Sequence, residues 1–76
     1  MNLLIEQKIG QNIKELRMQA GYTQEMLSAK LQVEGCDITR SALAKIEVGQ
    51  RHLYVDELIA LQKIFRIPYE TLLKVK

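Results

Sequence analysis

Residues 39–48 could present hydrogen-bond donors along one side of a helix. With helical spacing, Leu43 and Ile46 face inward. Five residues are then left on the outer side: Arg40, Ser41, Ala44, Lys45 and Val48. Guanidinium and ammonium groups donate hydrogen bonds and carry positive charge, and a hydroxyl donates or accepts. Because only one acid, Glu47, lies nearby, we expect this side of the helix to be a contact face.

Two threonines indicate where this helix and the one before it begin. The hydroxyl of Thr23, like that of Thr39, can accept a hydrogen bond from a backbone N–H in the first turn of a helix. The apolar residues around the two caps have the spacing of a hydrophobic staple: Tyr22 with Leu27, and Ile38 with Leu43. Gly49 ends the second helix. The layout of residues 23–49 is that of a helix-turn-helix, whose second helix is shaped to enter the major groove of DNA.

Three further helices are predicted around this pair. The first covers residues 3–20 approximately, the fourth covers 55–65, and the fifth covers 68–74. Apolar residues recur along the helices at helical spacing: Ile9, Ile13, Leu16 and Ala20 form a stripe on the first, Met26, Leu27 and Leu31 form the buried side of the second, Val55, Leu58, Ile59 and Phe65 lie along the fourth, and Tyr69, Leu72 and Leu73 form the apolar side of the fifth. Gly10 indicates the close approach of a neighbouring helix. With no strand pattern, we expect a compact all-α fold.

The composition restricts the class of protein. The chain has 76 residues, a length that fits one domain (1–76), and its net charge of +2 neither requires nor excludes a nucleic-acid partner. No apolar stretch approaches the roughly 20 residues that span a bilayer, and the first residues lack the features of a signal peptide. A single cysteine, Cys36, allows neither an intrachain disulfide nor a cysteine-based zinc site. We expect a cytoplasmic protein with no metal or cofactor, and Cys36 as a partly buried thiol.

The residue types of a hydrolytic triad occur in the chain as Ser41, His52 and Asp56. Neither a strained nucleophile turn nor a glycine-rich oxyanion loop accompanies them. We therefore do not expect an enzyme.

Three stretches of the chain, in their order and spacing, resemble one known family. They are residues 9–17 (IGQNIKELR), 21–27 (GYTQEML) and 40–49 (RSALAKIEVG). The family is that of the phage repressor and Cro-like, or lambda-repressor-like, helix-turn-helix proteins, and the resemblance extends from about Ile9 to Leu73. It implies a compact five-helix DNA-binding domain.

The resemblance also implies a role for each matching position. The positions implied to contact DNA are Arg40, Ser41, Ala44 and Lys45 for the bases, and Gln24, Gln50 and Arg51 for the backbone. His52 is a minor candidate in the same loop as Gln50. Arg17 and Glu47 match a structural salt bridge between helices one and three. The chemistry of Arg40 and Lys45 agrees with the implied contacts to bases, because arginine can donate two parallel hydrogen bonds to guanine and lysine can reach guanine or a phosphate.

The turn between helices two and three departs from the family. The family's connection is usually three or four residues long, whereas here the chain has to cross from Gln32 to Ile38. Either helix two is lengthened, or a looped turn forms around Gly35. The cap and staple before helix three indicate that the helix itself is preserved.

The sequence therefore predicts a sequence-specific DNA-binding transcriptional regulator, a repressor that binds a palindromic operator in double-stranded DNA as a homodimer. Apolar residues of the tail either close the core or form the dimer surface of the C-terminal helices: Phe65, Ile67, Tyr69, Leu72 and Leu73. One alternative is a protein-interaction module, either an antitoxin or an adaptor with this fold. Another is that the chain is the DNA-binding half of a longer regulator.

Overall fold

The computed structural model describes residues 3–75. Five α-helices follow one another in this part of the chain: α1 (Leu3–Gln19), α2 (Gln24–Val33), α3 (Arg40–Glu47), α4 (Val55–Phe65) and α5 (Tyr69–Leu73). The described residues form no β-strand, so the predicted all-α fold of five helices is confirmed. Pro68 lies before α5 and not in its first turn, because its ψ of 149° is extended. None of the helices within 3–75 is long and apolar enough to cross a membrane.

α2 and α3 begin in the same way. Oγ1 of Thr23 accepts a hydrogen bond from the Met26 N–H, and Oγ1 of Thr39 accepts one from the Ala42 N–H, both at 3.1 Å. Both threonines have an extended backbone, as capping residues do. The prediction that Met26 faces the core is wrong, since this side chain is 44% exposed. Its sulfur instead accepts a hydrogen bond from the Thr23 N–H at 3.5 Å, which turns the side chain back towards the cap.

The core lies where α3 meets the helices on either side of it. α1 packs against α3 and α5, and α2 packs against α3 and α4. Seven large side chains are fully buried: Ile13, Leu27, Leu31, Ile38, Leu43, Leu61 and Leu72. Of the predicted stripe on α1, Ile9 and Leu16 pack against this core. Ala20 does not, because it follows the last turn of α1 and is exposed.

The apolar residues of the tail divide between core and surface. Three of them are buried or pack against the core: Phe65, Ile67 and Leu72. Tyr69 and Leu73, four residues apart on α5, are exposed. The tail is held on α1 because Nδ2 of Asn12 donates hydrogen bonds to the backbone oxygens of Leu72, at 2.9 Å, and Lys74, at 2.7 Å.

The connection between α2 and α3 is a loop around Gly35, one of the two forms that the sequence left open. Gly35 has a φ of 91°, a left-handed conformation that residues with a Cβ rarely adopt. The Cys36 N–H then bonds the Leu31 oxygen at 2.9 Å, and the Gly35 N–H bonds the Gln32 oxygen at 3.0 Å. The loop next reaches Ile38, whose side chain is buried. The lengthened turn is therefore anchored at both ends.

α1 and α3 approach each other closely at Gly10. A Cβ added to Gly10 would overlap the carbonyl oxygen of Ile46 and would lie 2.8 Å from that of Glu47. Backbone atoms of a packed helix cannot give way as the end of a flexible side chain can. The predicted close approach of a neighbouring helix is confirmed, and that helix is α3.

Candidate nucleic-acid interface

α3 has a buried side and an exposed side. Its buried residues are Leu43, Ile46 and Glu47. The four residues predicted to contact bases share the other side: Arg40, Ser41 and Lys45 are exposed, and Ala44 is half-buried. Because residues four apart are neighbours on a helix surface, Ser41 and Lys45 form one row and Arg40 and Ala44 form another. The structure thus places all four on a single face about two turns long.

The acidic side chain of α3 is held inside the protein. Arg17 Nε donates to Glu47 Oε2 at 2.7 Å, and Arg17 Nη2 donates to Glu47 Oε1 at 3.2 Å. Gln24 Nε2 donates to the same Oε1 at 3.0 Å. The side chains of Arg17 and Glu47 are only 11% and 2% exposed. One carboxylate therefore joins α1, α2 and α3, and its negative charge is balanced where it would otherwise repel a polyanion.

A groove of about 490 Å³ lies beside this network, between the N-terminal ends of α2 and α3. Its lining residues are Arg17, Thr23, Gln24, Glu25 and Arg40. Helix N-termini present unpaired N–H groups and positive dipole ends, which favour an anion such as a phosphate. Gln24, a predicted backbone contact, is therefore close to Arg40, a predicted base contact. Its amide nitrogen is already bound to Glu47, which the sequence did not indicate.

Two polar residues of α2 hold the loop at the start of α3, and neither was identified from the sequence. Ser28 Oγ donates to the backbone oxygen of Ile38 at 2.6 Å, and Gln32 Nε2 donates to the same oxygen at 3.2 Å. Ile38 precedes the cap residue Thr39, so these bonds set the position from which α3 departs. The signal that could have revealed Ser28 is a hydroxyl among the apolar residues of the buried side of α2.

The loop after α3 contains two predicted backbone contacts, which differ in their surroundings. Gln50 is exposed, and its N–H bonds the Lys45 oxygen at 2.8 Å. Arg51 donates two hydrogen bonds to the Glu57 carboxylate, at 2.9 and 3.0 Å, and its guanidinium lies 5.1 Å from the centre of the Tyr54 ring. The hydrogen bonds that Arg51 donates to Glu57 raise the pKa of the guanidinium above its ordinary value. Arg51 thus has a protein partner, and its contact with DNA stays a prediction.

Two nearby side chains also contact protein groups. His52 Nδ1 lies 3.0 Å from Glu6 Oε1. The buried Cys36 thiol donates a 3.6 Å hydrogen bond to the backbone oxygen of Asp56. Burial raises the pKa of this thiol, and the carboxylates of Asp56, Glu57 and Glu34 raise it as well. Cys36 is therefore less reactive than an exposed cysteine, because the thiolate is the reactive form.

Comparison with known proteins gives one match. A family model described as helix-turn-helix matches residues 13–72, which include all of α2, α3 and α4, the C-terminal part of α1 and most of α5. No curated protein and no solved structure matches the chain. The matched region contains the α3 face and the Arg17–Glu47–Gln24 network. The chain therefore belongs to the helix-turn-helix family, in its phage repressor and Cro type, a family of DNA-binding domains.

Proposed function

We propose that this protein is a sequence-specific transcriptional regulator that represses by occupying its operator. The observation that supports this proposal most strongly is the exposed face of α3, where Arg40, Ser41 and Lys45 project from a helix whose opposite side is buried. α3 lies in the major groove, and Arg40 donates two hydrogen bonds to guanine O6 and N7. Lys45 reaches guanine or a phosphate, Ser41 bonds an edge with weaker discrimination, and Ala44 contacts a thymine methyl.

The DNA backbone is contacted on both sides of this face. Gln24 and the first turn of α2 bind phosphate at the groove beside Arg40, and Gln50 and Arg51 bind it from the loop after α3. These contacts carry no sequence information, but they fix the position of α3 on the duplex. Repression follows because a bound domain covers the DNA that transcription must use.

The regulator acts as a homodimer that pairs through its C-terminal helices and reads a palindrome. Exposed apolar side chains in this region support the proposal: Ile59 on α4, Tyr69 and Leu73 on α5, and Val75 beyond it. Pairing would remove these side chains from water. Two recognition helices related by a twofold axis then contact half-sites roughly 34 Å apart. The proposed location is the cytoplasm, where the thiol stays reduced.

Selection of bound duplexes from a random pool tests this function. The selected duplex is then titrated at two salt concentrations, and the mass of the complex is measured by analytical ultracentrifugation. A palindromic consensus bound by two copies of the chain is expected. No enrichment at low salt would contradict the proposal and would favour a protein-interaction module, such as an antitoxin or an adaptor.

A further inference from the structure

A second groove lies between the C-terminal ends of α2 and α4. Its volume is about 590 Å³, larger than that of the groove beside α3. Six of its lining residues are Lys30, Val33 and Glu34 from the end of α2 and Lys63, Ile64 and Arg66 from the end of α4. α3 contributes none of the lining residues, so this groove is separate from the proposed DNA-contacting face.

The rim of this groove is positively charged. The lining includes three cations, Lys30, Lys63 and Arg66, and one carboxylate, Glu34. The rim therefore carries a net charge of +2, which equals that of the whole chain. Lys63 Nζ lies 4.0 Å from Glu34 Oε1, and the lysine side chain is 63% exposed, so water screens this pair. Within residues 3–75, the side chains of Lys30 and Arg66 form no ion pair.

The groove also offers apolar surface inside this charged rim. Val33 is 85% exposed, the largest exposed fraction of any large apolar side chain in the described part of the chain. Tyr22 also lines the groove. Its ring stacks on Phe65 with 6.4 Å between ring centres, and Lys30 Nζ lies 4.8 Å from the centre of the Tyr22 ring. The stacking holds the Tyr22 ring in place. Apolar surface bordered by cations is complementary to an apolar side chain flanked by carboxylates.

Arg66, on the rim of this groove, has a left-handed backbone conformation. Arg66 has a φ of 54°, and it is the one residue other than glycine with a positive φ among the described residues. It ends α4 where glycine is the usual residue, since a Cβ is strained in this conformation. Strained positions persist where another requirement outweighs local stability. Arg66 therefore brings its charge to the rim at a position where glycine would be less strained.

We propose that this groove is a docking surface for an acidic segment of a partner protein, in which carboxylates flank an apolar side chain. The carboxylates bind Lys30, Lys63 and Arg66, and the apolar side chain covers Val33 and Ile64. Lys30 lies about 9 Å along the axis of α2 from the N-terminal end that borders the α3 face. The two grooves share no lining residue. This surface would give the proposed regulator a protein partner, and it does not depend on DNA binding.

Selection from a displayed library of random peptides, carried out against the whole chain, tests the proposal. The enriched peptides should carry at least two carboxylates beside an apolar residue. A synthetic copy of the best peptide, added to ¹⁵N-labelled protein, should shift the amide signals of residues 30–34 and 63–66. The double variant Lys30→Glu and Lys63→Glu should weaken peptide binding by about tenfold or more. At about 0.15 M salt, where the Debye length is about 8 Å, binding to a duplex should change little, because distant charges are screened.

Two further variants separate loss of charge from loss of fold. Arg66→Gly removes one charge but should raise the Tm, because glycine suits the φ at this position. It should still weaken peptide binding. Lys14→Glu makes the same change of charge as either of the two lysine substitutions alone, at an exposed position of α1, and should leave peptide binding unchanged.

Three results would overturn the proposal. Failure to enrich any peptide would exclude this docking surface, and so would amide shifts confined to other parts of the chain. Loss of duplex affinity in the Lys30→Glu and Lys63→Glu variant, with a smaller salt slope, would mean that the groove contacts phosphates.

Discussion

Ser28 donates a 2.6 Å hydrogen bond to the backbone oxygen of Ile38, and both residues are buried. Because Ile38 leads directly into the cap of α3, this bond ties α3 to α2 across the lengthened turn. Gln32 donates a second bond, at 3.2 Å, to the same oxygen. The additional residues of the turn therefore project around Gly35 and leave the position of α3 fixed.

Ser28→Ala should lower the free energy of unfolding by about 1–3 kcal/mol, because the buried Ile38 carbonyl would keep only the longer bond from Gln32. Urea unfolding followed by circular dichroism measures the change. Ser41→Ala is the matched control, since Ser41 is exposed on α3 and its loss should cost no more than about 0.5 kcal/mol. Equal effects of the two substitutions would show that the Ser28 bond does not anchor the turn.

Gly10→Ala should destabilise the protein by about 1–3 kcal/mol or more, because the added Cβ overlaps the Ile46 carbonyl and forces α1 and α3 apart. The sign of this change distinguishes packing from helix propensity, since alanine favours a helix by about 1 kcal/mol relative to glycine and propensity alone would stabilise the variant. Thermal unfolding measures the effect, with Gln11→Ala on the exposed side of the same turn as the control. A higher Tm for Gly10→Ala would contradict the close packing.

Arg51→Ala should lower the free energy of unfolding by about 2–3 kcal/mol, because it leaves the buried Glu57 carboxylate without its partner. The loss is smaller than for a fully buried pair, since the Arg51 side chain is 25% exposed. Arg40→Ala is the stability control, because Arg40 is exposed and forms no ion pair among the described residues.

The same Arg51 variant tests the proposed backbone contact. Binding should weaken equally for duplexes of all sequences. The slope of log affinity against log salt concentration should fall, but by less than the value of about one that is expected when an unpaired cation is lost. The smaller change is expected because Glu57 already balances the charge of Arg51. A fall of a full unit would show that Arg51 exchanges Glu57 for a phosphate when DNA binds.

Arg40→Ala and Lys45→Ala should each weaken binding to the selected duplex by about 1–3 kcal/mol and relax discrimination at one base pair. Fluorescence anisotropy with a set of single-mismatch duplexes measures both effects. Unfolding free energies should change by no more than about 0.5 kcal/mol, because both side chains are exposed. The assignment of α3 as the recognition helix would be wrong if neither variant altered affinity.

Alkaline pH should destabilise the protein through Cys36. Its pKa in the folded protein is raised above the ordinary value of 9.0, so the thiol contributes stability below that pH. This contribution is lost as the pH rises through the raised pKa of the folded state, because the unfolded chain releases the proton first. Comparing the Tm of the native chain and of Cys36→Ala between about pH 7 and pH 10 isolates this contribution. Parallel pH profiles would contradict it.

The helices were predictable because their signals are local. The hydroxyls of Thr23 and Thr39 cap α2 and α3 where predicted, and glycines follow the ends of α1 and α3. Each signal involves residues that lie within one or two turns of each other, so their spacing along the chain reveals the structure. The inward residues Leu43 and Ile46 were predicted from the same spacing.

Contacts between separate elements of the fold were harder to predict. The pair Arg51 and Glu57 and the bond from Ser28 to Ile38 depend on how separate elements pack, which local spacing does not encode. The pair Arg17 and Glu47 was implied by the family resemblance, but the third member of that network, Gln24, was not. Met26 was misplaced because periodicity assigned it to the core, whereas its flexible thioether reaches the cap.

The division of α3 into two sides has an evolutionary consequence. Within residues 3–75, the side chains of Arg40, Ser41 and Lys45 make no hydrogen bond or ion pair with the rest of the protein, whereas Leu43, Ile46 and Glu47 hold α3 in place. Codons at the outer positions can therefore mutate with little selection against misfolding. Under the proposed function, a lineage acquires a new target sequence by single substitutions, and each intermediate remains a folded protein on which selection can act.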